Sequence, residues 1–109
     1  MTESRKQIII GCDHAAFEMK EKIKTFLVSL GFDVKDAGTG GEASVDYPVY
    51  GAKVASAVSE GRHERGVLLC GTGLGMSMVA NRFPGVRAAL CGDLFAASMS
   101  RRHNDANIL

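Results

Sequence analysis

The sequence predicts an α/β domain built on a doubly wound parallel sheet with helices on both faces. Three observations carry that expectation. Short apolar runs alternate four times with longer stretches of three- and four-residue periodicity, strand followed by helix. The runs "QIIIGC" and "VLLC" are almost wholly apolar, as strands covered on both faces are. Glycine or a turn cluster closes most segments. A length of 109 residues suits one domain, 1–109, of Rossmann-like architecture.

Each element follows from its own residues. "QIIIGC" reads as a buried, β-branched strand closed by Gly11. After Asp13 the pattern changes. Ala16, Met19, Ile23, Phe26, Leu27 and Leu30 recur at helical spacing, with Glu18, Lys20, Glu21, Lys22 and Lys24 between them. Gly31 stops this amphipathic helix. "FDVKDAG" is a more polar strand, placed nearer a sheet edge, and "TGGEAS" is loop chemistry. Asp46 and Pro48 mark a second helix start, with Tyr47, Val54 and Val58 on one face until Gly61. "GRHERG" reads as solvated loop, "VLLC" as a third buried strand and Gly75 to Arg82 as a short helix. "VRAALC" reads as a fourth strand, and Asp93 through Arg102 as a helix capped by Asp93. "NDANIL" starts a fifth strand that stops almost at once, so a C-terminally shortened form of a longer domain is expected.

Composition narrows the function. Hydrophobic residues at 46% and charged residues at 23% are an ordinary globular mixture. A net charge of +1 lacks the basic footprint of a nucleic-acid protein, while small anionic ligands remain open. No apolar run is long enough to span a bilayer, and "MTESRKQ" has no secretory pattern. Cys12, Cys70 and Cys91 cannot all pair within one chain, and none sits in a CxxC, so a reducing cytoplasm is the expected setting.

Ligands of open parallel sheets collect at the carboxyl ends of the strands. There the chain places "CDHAAF", "SVDYP", "CGTGLGM" and "CGDLF", with "RRHNDAN" just before the last apolar residues. Gly71, Gly73 and Gly75 are spaced G-x-G-x-G, neither a dinucleotide fingerprint nor a P-loop. They serve either as a tight turn or as an anion cradle of backbone N–H groups. Cys70 is either a buried filler or, directly before a helix, a residue whose thiolate form is favoured. Thr72 caps the turn or lends a hydroxyl to the cradle. Asp13 reads first as a helix cap, His14 as a cap neighbour or anion donor, and His103-Asn104-Asp105 as a helix end or a proton-carrying site. Cys12-x-His14 is one short pair, so no metal site is expected. Cys12 and Cys91 read as strand packing, Met76 as core and Met78 as helix surface.

Four segments, "GCDHAAFEMKEKI", "SVDYPVYGAKVA", "GVLLCGTGLGMSMVANRFPGVRAAL" and "SRRHNDANIL", together resemble the B-type ribose-5-phosphate isomerase family. That family also includes galactose-6-phosphate and allose-6-phosphate isomerases. The resemblance runs in order through essentially the whole chain. It implies a metal-free, cofactor-free aldose–ketose isomerase acting on ribose 5-phosphate and ribulose 5-phosphate through an enediolate. By that resemblance Cys70 is the catalytic base, Thr72 a hydroxyl that shuttles a proton at the oxygens, and His103 the group that assists ring opening and donates a proton. The amides of Gly71, Gly73, Leu74 and Gly75 match the enediolate cradle. Asp13, Tyr47 and Asn104 match holders of the sugar hydroxyls, and His14 a phosphate-end contact. It further implies a homodimer or higher homo-oligomer, with no nucleic-acid or membrane partner. Relatives usually continue into a basic C-terminal segment whose arginines grip the phosphate, often across a dimer interface. This chain stops at Leu109, leaving Arg82, Arg87, Arg101 and Arg102 with either that role or ordinary structural ones. A six-carbon sugar-phosphate isomerase, or a phosphosugar-binding or assembly subunit with impaired catalysis, is the alternative.

Overall fold

The structure, a computed structural model, describes residues 7–38, 47–70 and 74–109, without the side chains of Tyr47 and Pro48. A parallel sheet forms around the first strand. β1 (Gln7–Cys12) lies between β2 (Asp33–Asp36) and β3 (Arg65–Leu69), in the order β2-β1-β3. Ile8 stands opposite both Val34 and Arg65, and Cys12 opposite Leu69. The central place goes to the most apolar strand, and the polar β2 takes the edge as expected.

Among the described residues, helices α1 (Phe17–Ser29), α2 (Tyr47–Ser59), α3 (Leu74–Ala80) and α4 (Leu94–Arg102) complete the regular elements, with a 3₁₀ turn at His14–Ala16. α2 packs on β1 and β3, and α1 on β1 and β2. The side chains alternate between faces. A Cβ added at Gly11 or Gly66 would meet Val54 of α2 at 2.8 Å, so both glycines let α2 close onto its face of the sheet. On the opposite face Ile23 of α1 shares a cavity with Val67 and Leu69. Ile9, Val54, Leu68, Met76 and Ile108 form one buried core. α1 and α2 end alike. The N–H groups of Gly31 and Phe32 reach back to Val28 and Leu27, and those of Gly61 and Arg62 to Val58 and Ala57. Positive φ at Gly31 (93°) and Gly61 (78°) allows both closures.

The expected fourth strand does not form as an element. In "VRAALC" only Ala88 makes a bridge, to Ile108, which also bridges to Gly66 of β3. Residues 107–109 thus lie between β3 and residues 87–89. The N–H groups of Gly66 and Leu68 donate to the carbonyls of Asn107 and Leu109 (2.9 Å each), and that of Ala89 to Ile108 (3.0 Å).

α1 departs from the expected apolar face. Ala16, Lys20, Ile23 and Leu27, spaced i, i+4, i+7 and i+11, turn inward, while Met19, Phe26 and Leu30 are exposed. Lys20 has no exposed surface. Its Nζ lies 2.9 and 2.7 Å from the two carboxylate oxygens of Asp36, and 5.1 Å from the centre of the Phe17 ring. Lys24 reaches Asp36 Oδ2 from outside at 2.9 Å. Burial pushes the Asp36 carboxyl up, but hydrogen bonds from Lys20, Lys24 and the Gly38 N–H outweigh it and hold the group below its ordinary 3.8. The bond to Asp36, opposed by partial burial, raises Lys24 above 10.5.

These directions predict a stability profile. A depressed carboxyl contributes stability that is present above its unfolded value and lost as pH falls through its folded value. In urea unfolding at a series of pH values, Asp36→Asn should therefore be least stable relative to the parent near neutrality. The gap should close as pH falls below 3.8, the carboxyl's ordinary value. A gap independent of pH would show that the charge of Asp36 contributes nothing.

Candidate active site

β1 and β3 end side by side, and the residues that follow them build the site. The Asp13 N–H donates to the carbonyl of Leu69 at 3.2 Å, which places Asp13 beside the chain entering Cys70. Asp13 is buried, and its Oδ1 accepts the Ala16 N–H at 3.2 Å. The cap expected of Asp13 is thus present, closing the turn that His14 opens. His14 is half-buried there. Cys70 is half-buried and lines a cavity of about 300 Å³ with Leu69, Ser77, Leu90, Cys91 and Leu109. Leu74 and Gly75 open α3, Leu74 exposed and Gly75 half-buried. Gly71, Thr72 and Gly73 lie outside the described residues. Tyr47 begins α2, but its side chain is also outside them.

The second half of the expected constellation stands apart. Asn104 lines a neighbouring cavity of about 470 Å³, with Asn81, Arg87 and Met99. Residues 88–91 wall both cavities, and neither is lined by both Cys70 and Asn104. His103 ends α4 in exposed position, its N–H donating to Met99 at 2.9 Å. Asp93 caps the start of that helix, its Oδ1 accepting the Ala96 N–H at 2.7 Å.

The turn after His103 is held from several sides. Arg87 Nε donates to the Asn104 carbonyl at 2.6 Å, and Arg101 Nη1 reaches Asp105 Oδ1 and the Ala106 carbonyl. The Ala106 N–H donates to the Ser100 carbonyl at 2.9 Å. Asp105 carries a φ of 49°, the only positive value at a non-glycine among the described residues. Aspartate tolerates that conformation better than most side chains, at a cost of about 1 kcal/mol or more. All four arginines are exposed, and of them Arg87 and Arg101 hold this turn. Sequence reasoning missed the Arg87 tether and the Lys20–Asp36 pair. Only the i, i+4 spacing of Arg101 and Asp105 was available as a signal.

Residues 8–109 match the family model for Ribose/Galactose Isomerase. The chain belongs to the ribose/galactose isomerase family. Over 104 residues it is 46% identical to the ribose-5-phosphate isomerase B of Escherichia coli, covering 95% of this chain and 70% of that protein. Its fold matches the Clostridium thermocellum ribose-5-phosphate isomerase B with a TM-score of 0.93 and 53% identity, over 94% of this chain and 70% of that one. A relative named for another sugar, the D-erythrulose-4-phosphate isomerase of Pectobacterium atrosepticum, is 41% identical over 104 residues, 94% of this chain and 68% of the relative. The family read from four motifs thus holds, as does the α/β architecture. The activity class is that of a sugar-phosphate isomerase. Among the described residues, no helix is long and apolar enough to cross a membrane.

Proposed function

We infer that this family member interconverts ribose 5-phosphate and ribulose 5-phosphate through an enediolate, with Cys70 as base and without metal or organic cofactor. One observation carries the reading. The Asp13–Leu69 bond sets Asp13 beside Cys70 at the strand ends, in a chain 46% identical to a ribose-5-phosphate isomerase B. The Cys70 thiolate takes the proton from C2 of the open-chain aldose, and that electron pair forms the C1–C2 double bond as the carbonyl electrons move to O1. Thr72 relays the O2 proton to O1. Return of the first proton from Cys70 to C1 gives the ketose, so C2 is oxidised as C1 is reduced and no external electron carrier is needed.

The amides of Gly71, Gly73, Leu74 and Gly75 are assigned to the charge that develops on the enediolate oxygens. Such preorganised donors stabilise the transition state more than the substrate. By the resemblance, His103 assists ring opening, Asp13 and Tyr47 hold the hydroxyls and His14 meets the phosphate end; Asn104, also matched to the hydroxyls, lines a cavity that Cys70 does not share. The working unit is a homodimer or larger homo-oligomer in a reducing cytoplasm, which suits three cysteines that form no disulfide. Leu94 and Phe95, 86% and 71% exposed, are apolar surface of the kind that interfaces cover.

The test is an isomerase assay on the purified chain, dialysed against EDTA, with four-, five- and six-carbon sugar phosphates. The four-carbon substrate is included because a relative is named for one. Turnover should be greatest with ribose 5-phosphate and indifferent to EDTA. A better four- or six-carbon substrate would reassign the sugar, and activity lost to EDTA but restored by a metal would end the metal-free mechanism. Binding without turnover would make the chain a phosphosugar-binding subunit. Light scattering at assay concentration should find more than one copy, and a monomer there would remove the oligomer from the reading.

A further inference from the structure

We propose that Lys20 is a positioning residue of this isomerase site, acting through Asp36 and Gly38 on the end of β1. A lysine with no exposed surface is rare, and an ion pair taken from water adds little stability by itself. What this pair does add is geometry. Lys20 Nζ bonds both oxygens of Asp36, and Oδ1 of the same carboxylate accepts the Gly38 N–H at 2.9 Å. The Gly38 carbonyl in turn accepts the Cys12 N–H at 2.7 Å. Cys12 leads into Asp13, whose N–H is bonded to Leu69, the neighbour of Cys70. A continuous series of bonds thus runs from Lys20 to the two strand ends where substrate is held.

Gly38 leaves no room for a side chain. It sits at φ 105°, and a Cβ there would come within 2.7 Å of the Tyr50 ring. With no side chain to fix it, its orientation is set by its hydrogen bonds. Lys24 provides an internal contrast, since it bonds Asp36 only through Oδ2, from the partly exposed side. The oxygen that orients Gly38 is held by Lys20 and not by Lys24.

The inference rests on the reading that Asp13 holds the sugar, so Asp13→Asn is measured alongside. Asparagine keeps the capping oxygen while removing the charge. Lys20→Met should stay folded, because Lys24 still pairs with Asp36, and should raise KM about tenfold with kcat within about twofold of the parent. Lys24→Met should leave both constants at parental values. A parental KM in Lys20→Met, with KM raised in Asp13→Asn, overturns the inference and spares the reading. A parental KM in Asp13→Asn overturns the reading itself. An equal rise in Lys24→Met also overturns the inference, since the charge cluster as a whole would then be responsible. Should circular dichroism show Lys20→Met unfolded, the double change Lys20→Met with Asp36→Leu replaces the pair by apolar groups. It must raise KM at least as far, and a parental KM there is likewise fatal.

Discussion

Cys70→Ala should abolish measurable isomerisation while the chain keeps its fold. The thiol stands at the exit of β3, half-buried on a cavity wall, so losing one sulfur atom removes little packing. A general base contributes about 10²- to 10⁴-fold to proton transfer, and the expected fall in kcat lies in that range. Cys70→Ser restores shape without a comparable base and should stay near the alanine level. Turnover of ribose 5-phosphate, with far-ultraviolet circular dichroism and thermal unfolding on the same samples, checks both halves. Near-parental turnover in the alanine variant would remove Cys70 from the mechanism, whereas lost turnover with lost structure would show a packing role instead.

Ile108→Ala should destabilise the chain by about 2–5 kcal/mol, the usual range for emptying a well-packed site. Ile108 is 2% exposed although it is the second-last residue of the sequence. It packs with Val54, Leu68 and Met76, and a Cβ at Gly66 would lie 3.4 Å from its Cγ1. It also bridges to both Gly66 and Ala88, so its side chain anchors the segment that joins β3 to the shared wall of the two cavities. Isomerase activity should therefore fall at temperatures where the parent is still folded. Urea denaturation measures the loss, and Leu109→Ala, at a 46% exposed position, is the control expected to change little. A loss below about 1 kcal/mol would show that backbone bonds alone secure residues 107–109.

Local chemistry was legible. Asp13 and Asp93 cap because a short acceptor side chain satisfies N–H groups that no helical carbonyl reaches, and Gly31 and Gly61 end helices because they accept positive φ. The apolar β1 and polar β2 announced central and edge places. Four ordered motifs identified the family, and with it the class of chemistry.

What involved partners distant in sequence was not legible. In α1 the helical periodicity fits two stripes one residue apart, and only the sheet decides that Lys20 turns inward while Met19 turns out. A charged residue belongs on the inner stripe only if a carboxylate waits there, and Asp36 comes from another element. "VRAALC" has the composition of a strand, but it meets residues 107–109 and not β3, and only Ala88 forms a bridge there. Likewise, nothing in "RRHNDAN" shows that Asn104 lines a different cavity from Cys70, because residues 88–91 divide them only once the chain is folded. The sequence by itself determined the caps of Asp13 and Asp93, the glycine-closed ends of α1 and α2, the edge place of the polar β2 and the family. Tertiary structure alone decided which faces are buried, which ladder closes the sheet and which side chains share a cavity, since each depends on contacts whose two halves lie far apart along the chain.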